Sequence, residues 1–194
     1  MNTIAISGSP RENVGKRDAK ELRYTGKVPA VLYGGKEQIH FAIDAPALRD
    51  LVYTPEVNLV DLEIGGKTTQ AIMQDIQFHP LTEKILHIDF LQLFDKKEVT
   101  IEIPVKLTGT SPGVKEGGKL VQKLRKLKVK ALPKDMPQYV EVSIDDLTVG
   151  KSVRVRDLKP KGYLITNVQE DTVVSVIMSR ALKQAEQQAS VVKK

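Results

Sequence analysis

The chain has 194 residues, 41% of them hydrophobic, and a net charge of +6. It has no cysteine, which excludes disulfides, thiolate zinc sites and cysteine nucleophiles. No basic stretch followed by an apolar run opens it, and no apolar run approaches the roughly 20 residues of a membrane helix, so a soluble, cytoplasmic protein in a reducing compartment is expected.

That length suits one large domain or two small ones. Tryptophan is absent, so the cores must be built from Val, Ile and Leu, whose β-branched members favour strands. "TIAIS" reads as the first strand and "RDAKELRY" as a short helix with Ala19, Leu22 and Tyr24 set among basic positions. "AVLYGG" and "QIHFAID" read as strands. "APALRDLVY" reads as a second short helix, with Asp44 as its N-cap and Pro46 in its first turn. "VNLVDLEIGGKTTQAIMQDI" is a hairpin pattern, because Gly65-Gly66 tolerates the positive φ of a primed turn. "EKILHIDFLQL" reads as the next strand.

The short, charged stretch "FDKKE" near residues 94–98 marks a boundary. A first domain is expected over 1–94, a second over 95–180, and a basic tail, frayed or disordered, over 181–194. The second domain reads as all-β, from "VTIEIPVKL", "LKVKAL", "YVEVSI", "SVRVRDL" and "DTVVSVIMS", each bounded by turn residues. "KLVQKLRKLKVKAL" is ambiguous. Leu120, Leu124 and Leu127 have helical spacing, which suits a membrane-surface or partner helix. Leu127, Val129 and Ala131 alternate with Lys126, Lys128 and Lys130, as in a strand with a basic outer face. The β surroundings favour the strand, with a bulge near Arg125.

Charge is unevenly spread. Residues 1–36 carry seven Lys/Arg against three Asp/Glu, residues 37–94 three against nine, and residues 115–134 eight against one. Two basic concentrations fit nucleic-acid binding; the plain alternative is two solvated faces. "GVKEGGKL" nearly spells a phosphate-binding loop, but Leu120 stands where a Ser or Thr must hold magnesium; "IGGKTT" has Asp61 in place of the first glycine. Both are read as loops. His79 and His87 match no common metal spacing. In "ILHIDFL", Leu86, Ile88 and Phe90 fall on one strand face and Ile85, His87, Asp89 and Leu91 on the other. The pair His87 and Asp89 fits a solvated face, a catalytic or zinc site, or a grip on a polar macromolecule.

"RENVGKRDAKELRYTGKVPAVLYGG" and "QDIQFHPLTEKILHIDF" together resemble the bacterial large-subunit ribosomal protein L twenty-five family. "EIPVKLTGTSPGVKEGGKLVQKLRKLKVKALPKDMPQYVEVSI" resembles the extra domain of its longer form, the general stress protein CTC type. The resemblance implies a mainly β protein: an N-terminal six-stranded β-barrel with short helices, followed by an all-β domain. It implies no enzyme and no cofactor, but a structural protein of the bacterial large subunit, monomeric within the ribosome. Family members hold the loop E region of 5S rRNA in the central protuberance, beside other large-subunit components and away from any membrane.

Carried over residue by residue, the resemblance puts Arg11, Lys16, Lys20 and Arg23 on the basic RNA-binding face, Tyr33 in the "YGG" stretch, and Gln74, His87 and Asp89 on the last two strands. Two positions depart from the family: Ala19 stands where some members place serine, and Phe78 where some place arginine. The acidic remainder of 37–94 is expected to face away from RNA. A stress factor joining ribosomes conditionally is the alternative; an enzyme built on His87 and Asp89 lacks a nucleophile and a metal set.

Overall fold

Alternating apolar side chains become strands almost throughout. The computed structural model describes residues 2–35, 37–160 and 162–180, so the expected tail at 181–194 lies outside the described residues. The chain divides into two compact units. One runs through residue 101 and includes 132–138; the other takes 102–131 and the residues from 139 on.

The first unit contains, in order, β1 (Thr3–Pro10), α1 (Lys16–Tyr24), β2 (Lys27–Tyr33), β3 (Ile39–Asp44), a 3-10 turn (Ala45–Leu48), α2 (Arg49–Val52), β4 (Leu59–Ile64), β5 (Lys67–Phe78) and β6 (Ile85–Gln92). The six strands close into the expected barrel, in the order β1-β3-β2-β6-β5-β4. Pairs β1–β4 and β2–β6 are parallel; the other ladders are antiparallel. In the closed barrel every strand has a neighbour on both sides, though β1 and β3 pair only at Ser9–Pro10.

Period-2 patterning fills the barrel with Val28, Ala30 and Leu32 of β2, Phe41 and Ile43 of β3, and Ile88 and Phe90 of β6. The rings of Phe41 and Phe90 lie 5.9 Å apart, tilted by 37°. Leu48 and Leu51 bring the 3-10 turn and α2 into the same core. The second predicted helix is thus a 3-10 turn followed by a single helical turn, and Asp44 makes no side-chain cap bond. Gly65 and Gly66 have φ of 57° and 80°, the primed turn expected of the β4–β5 hairpin. Gly8 is needed for space: a Cβ there would come within 2.5 Å of the buried Phe41 ring.

Two irregularities in the β5–β6 ladder set the outer face. The register passes from Met73↔Phe90 to Asp75↔Asp89, leaving Gln74 as the extra residue of a bulge, and from Gln77↔His87 to Phe78↔Ile85, leaving Leu86 as another. The second bulge corrects the simple alternation read from sequence: Ile85, and not Leu86, packs against the barrel core.

The second unit is all-β. β7 (Val99–Thr108), whose first three residues still count with the first unit, is followed by α3 (Pro112–Lys115), β8 (Lys119–Gln122), β9 (Lys126–Ala131), β10 (Val140–Ser143), β11 (Ser152–Arg154), a 3-10 turn (Val155–Asp157), β12 (Leu164–Ile165) and β13 (Thr172–Ile177). One sheet has the order β10-β7-β9-β12 and the other β11-β13-β8. The ambiguous basic segment is therefore strand, but its interruption near Arg125 is a change of sheet and not a bulge. β8 pairs with β13, and β9 joins the four-stranded sheet. Along β9, Leu127, Val129 and Ala131 are buried, with Lys126 and Lys128 exposed. "GVKEGGKL" is a one-turn helix leading into a strand, the reverse of the strand-to-helix order a phosphate loop requires. Asp145 closes the turn after β7, accepting from the Thr110 N–H and the Ser143 hydroxyl. These bonds hold its carboxyl below the usual range.

Candidate nucleic-acid interface

A groove of about 740 Å³ runs over the outer face of β2, β3, β5 and β6 and against the start of α1. Its floor follows from register. Val31 of β2 is the partner of both Asp89 on β6 and His40 on β3, and Asp89 is in turn the partner of Asp75 on β5. Gln77 faces His87 two residues along the same ladder. Inward neighbours Ala30, Leu32, Phe41, Ile88 and Phe90 are buried, so the intervening side chains must point out.

His87 and Asp89 lie two residues apart on this face, and His87 Nδ1 is 2.7 Å from Asp89 Oδ1. A carboxylate only accepts, so the contact requires the proton on Nδ1. In the neutral ring, Nε2 is then an acceptor. Both side chains remain partly exposed, at 29% and 32%. Tyr33 also lines the groove; burial raises its hydroxyl above the ordinary value, and the Asp89 and Asp75 carboxylates add to the rise. The phenol therefore stays a neutral donor at physiological pH. The floor thus combines an imidazole acceptor, a carboxylate, a phenolic hydroxyl and the Gln77 amide.

Cations come from the α1 side. Arg11, Lys16 and Arg23 all line the groove, as does Ala19. Arg23 Nε donates to the Leu86 carbonyl at 3.0 Å, which ties α1 to β6 and fixes the guanidinium. Arg11 is differently placed. Its Nε and Nη2 donate to Asp18, and its side chain is only 9% exposed, so much of its donor capacity is used in locking the loop before α1 to the helix.

The eight sequence-derived residues do not all converge. Arg11, Lys16, Arg23, Tyr33, His87 and Asp89 share the groove; Lys20 and Gln74 are not among its lining. Gln74 is exposed in its bulge, and Lys20 sits 5.9 Å over the ring of Tyr24. Phe78 is 43% exposed and outside the groove. Gln77, Gln38 and His40 line it and were missed. His40 alternates with buried Phe41 in "QIHFAID", a signal the sequence did offer. Asp75, one of the acidic residues of 37–94, stands beside Asp89 in register but is not among the groove lining. His79 belongs to the β5–β6 turn: its Nδ1 accepts from the Leu81 and Thr82 N–H groups at 3.3 and 3.2 Å. Among the described residues, no group of three or more His, Cys, Asp or Glu is placed to hold a metal ion, and no helix is long and apolar enough to cross a membrane.

Comparison with known proteins gives two adjacent family matches. Residues 6–90 match the Ribosomal L25p family, and residues 98–180 match the C-terminal domain of ribosomal protein TL5. Among curated relatives named large ribosomal subunit protein bL25, one from Cytophaga hutchinsonii is 46% identical, over 98% of this chain and 99% of its own. One from Amoebophilus asiaticus is 49% identical over 94% and 93%. A third, from Porphyromonas gingivalis, is 44% identical over 95% and 97%.

Proposed function

This chain belongs to the ribosomal L25p family, in the two-domain form that carries the TL5 C-terminal domain, and on that premise we propose that its barrel grips 5S rRNA at loop E, in the central protuberance. Membership makes it a structural protein of the large ribosomal subunit, acting in translation.

The observation that carries it is the groove, where Lys16 and a held Arg23 border a floor of mixed donors and acceptors. Lys16 and Arg23 neutralise phosphates, which gives binding its salt dependence. His87, Tyr33 and Gln77 reach base edges and 2′-hydroxyls, which the wide minor groove of RNA exposes. With Nδ1 held by Asp89, the neutral His87 offers Nε2 as an acceptor to a hydroxyl or amino donor. Asp89 and Asp75 repel phosphates, so the backbone passes along the α1 side and the groove edges of the bases lie over the floor. Arg11 acts as a positioning residue through Asp18, and Lys20 and Gln74 add contacts at the margins. The protein works as a cytoplasmic monomer within the ribosome and needs no cofactor.

Chemical footprinting of isolated 5S rRNA with the whole protein tests this. Protection is expected over loop E and should weaken with salt; an unchanged loop E pattern at saturating protein would refute the assignment. The second reading, an RNA-binding stress factor on ribosomes only conditionally, rests on the likeness of the second domain to the CTC type. Ribosome loading that rises only in stressed cells would favour it.

A further inference from the structure

A second groove, about 770 Å³ in volume, opens on the barrel unit between the C-terminal half of α1 and the turn that joins β5 to β6. Its charge is one-sided. Lys20, Arg23, Lys27 and Lys84 line it, and no carboxylate does. Two of its walls are aromatic side chains left in solvent: Tyr24 is 80% exposed and Tyr53 67%. Neither ring serves the core, and the Lys20 ammonium lies over the Tyr24 face. His79 also lines the groove, and its Nδ1 bonds to the backbone leave Nε2 to carry the proton of the neutral ring, as a donor. Arg23 lines this groove and the first one alike, so the two grooves adjoin at that side chain.

Exposed aromatic faces among cations fit one kind of occupant well. A base-paired helix buries its base faces by stacking, so such a platform is of no use to it. An unpaired nucleotide offers a free π-face and a phosphate together. We propose that this groove binds an unpaired RNA segment, with bases stacked on Tyr24 and Tyr53 and phosphates held by Lys20, Lys27 and Lys84. The inference rests on the reading of the barrel as an RNA-binding unit and extends its footprint from helical to single-stranded RNA.

The test uses the full chain in three forms: unaltered, Tyr24→Phe/Tyr53→Phe, and Tyr24→Ser/Tyr53→Ser. Both side chains are exposed, so the core is unchanged in each. The probes are a 5S rRNA transcript and a labelled hexauridylate, followed by anisotropy at fixed salt, with labelled polyglutamate as a third. The Phe form should bind like the unaltered chain. The Ser form should lose roughly ten- to a hundredfold in hexauridylate affinity, with the salt slope unchanged. A matching loss on 5S rRNA would place the unpaired segment in that RNA; a loss confined to hexauridylate would support the groove and place its segment elsewhere. Equal binding by the Ser and unaltered forms on both RNAs overturns the proposal, as does polyglutamate binding that depends on the tyrosines while hexauridylate does not bind. If the unaltered chain fails to bind 5S rRNA, the reading of the barrel falls, and the hexauridylate titration still decides the groove.

Discussion

The outer face of the barrel and the outer face of β9 both carry basic side chains, but they are built differently. On β9, Lys126, Lys128 and Lys130 repeat at every second position above a buried row of Leu127, Val129 and Ala131. The result is a row of side chains of one charge and one chemistry, with Lys126 and Lys128 exposed. On the barrel, Lys16 and Arg23 stand at the border of a concave floor where His87, Asp89, Tyr33 and Gln77 present different chemistry from different strands. Positive charge alone attracts any polyanion, whatever its sequence or shape. Discrimination needs acceptors and donors held at fixed places, and even a carboxylate that rejects misplaced phosphates. Composition counts both regions as basic; only register distinguishes them.

The largest expected effect comes from separating the two regions. A fragment of residues 1–94 should keep 5S rRNA binding, whereas a fragment of residues 95–180 should bind on the order of a thousandfold more weakly, as charge without shape does. Gel shifts at a single salt concentration check this. Equal affinity of the two fragments would mean that β9 is the main grip. Next, Phe90→Ala removes a fully buried ring that meets Phe41 inside the barrel, and should cost about 3–5 kcal/mol in urea unfolding monitored by circular dichroism.

A smaller loss is expected for His87→Ala. Groups left unpaired at the interface cost about 1–3 kcal/mol, or roughly ten- to a hundredfold in affinity. The salt slope should hardly change, because a neutral imidazole releases no counterions, and thermal stability should hold. Wild-type affinity in this variant would remove the His87–Asp89 pair from the RNA surface. Arg23→Ala should lower the slope of log K against log salt by roughly 0.7–0.9. Lys128→Gln, on β9, should leave that slope where it was. The smallest effect concerns Tyr33. Its raised folded-state value means that any stability it contributes is complete below the ordinary tyrosine value of about 10 and is lost as pH rises beyond it. RNA affinity should therefore show no Tyr33 titration between pH 6 and about 9, which a pH series of binding isotherms will check.

Much of this architecture could be read in one dimension. The glycine pair at 65–66 marked the hairpin, and alternation in "ILHIDFL" put His87 and Asp89 on one face, opposite Ile88 and Phe90. What could not be read were the places where the period slips. The bulges at Gln74 and Leu86 each add one residue to a strand, which moves Asp75 and Gln77 into the outer row and turns Ile85 inward. No local signal in "QDIQF" or "KILHI" announces this, because the extra residue is fixed by pairing with the neighbouring strand. The pairing of Arg11 with Asp18 was equally hidden, since a loop of unknown path separates them. Between β8 and β9 the chain changes sheets within three residues, and a pattern of leucines and lysines cannot tell a bulge from such a crossing.

The parallel ladders also bear on how the protein is made. β1 pairs with β4, more than fifty residues later, and β2 with β6, also more than fifty residues later. As the chain leaves the ribosome that synthesises it, the first strand has no parallel partner until the hairpin at Gly65 has emerged. Such long loops must close before any of their contacts form, which slows barrel assembly. The groove floor needs β2, β3, β5 and β6 together. A nascent chain that stops before Gln92 therefore holds the basic helix but not the surface it borders. The groove is complete only when the last barrel strand arrives, so on the proposed function an unfinished copy is expected to compete poorly with a finished one for RNA.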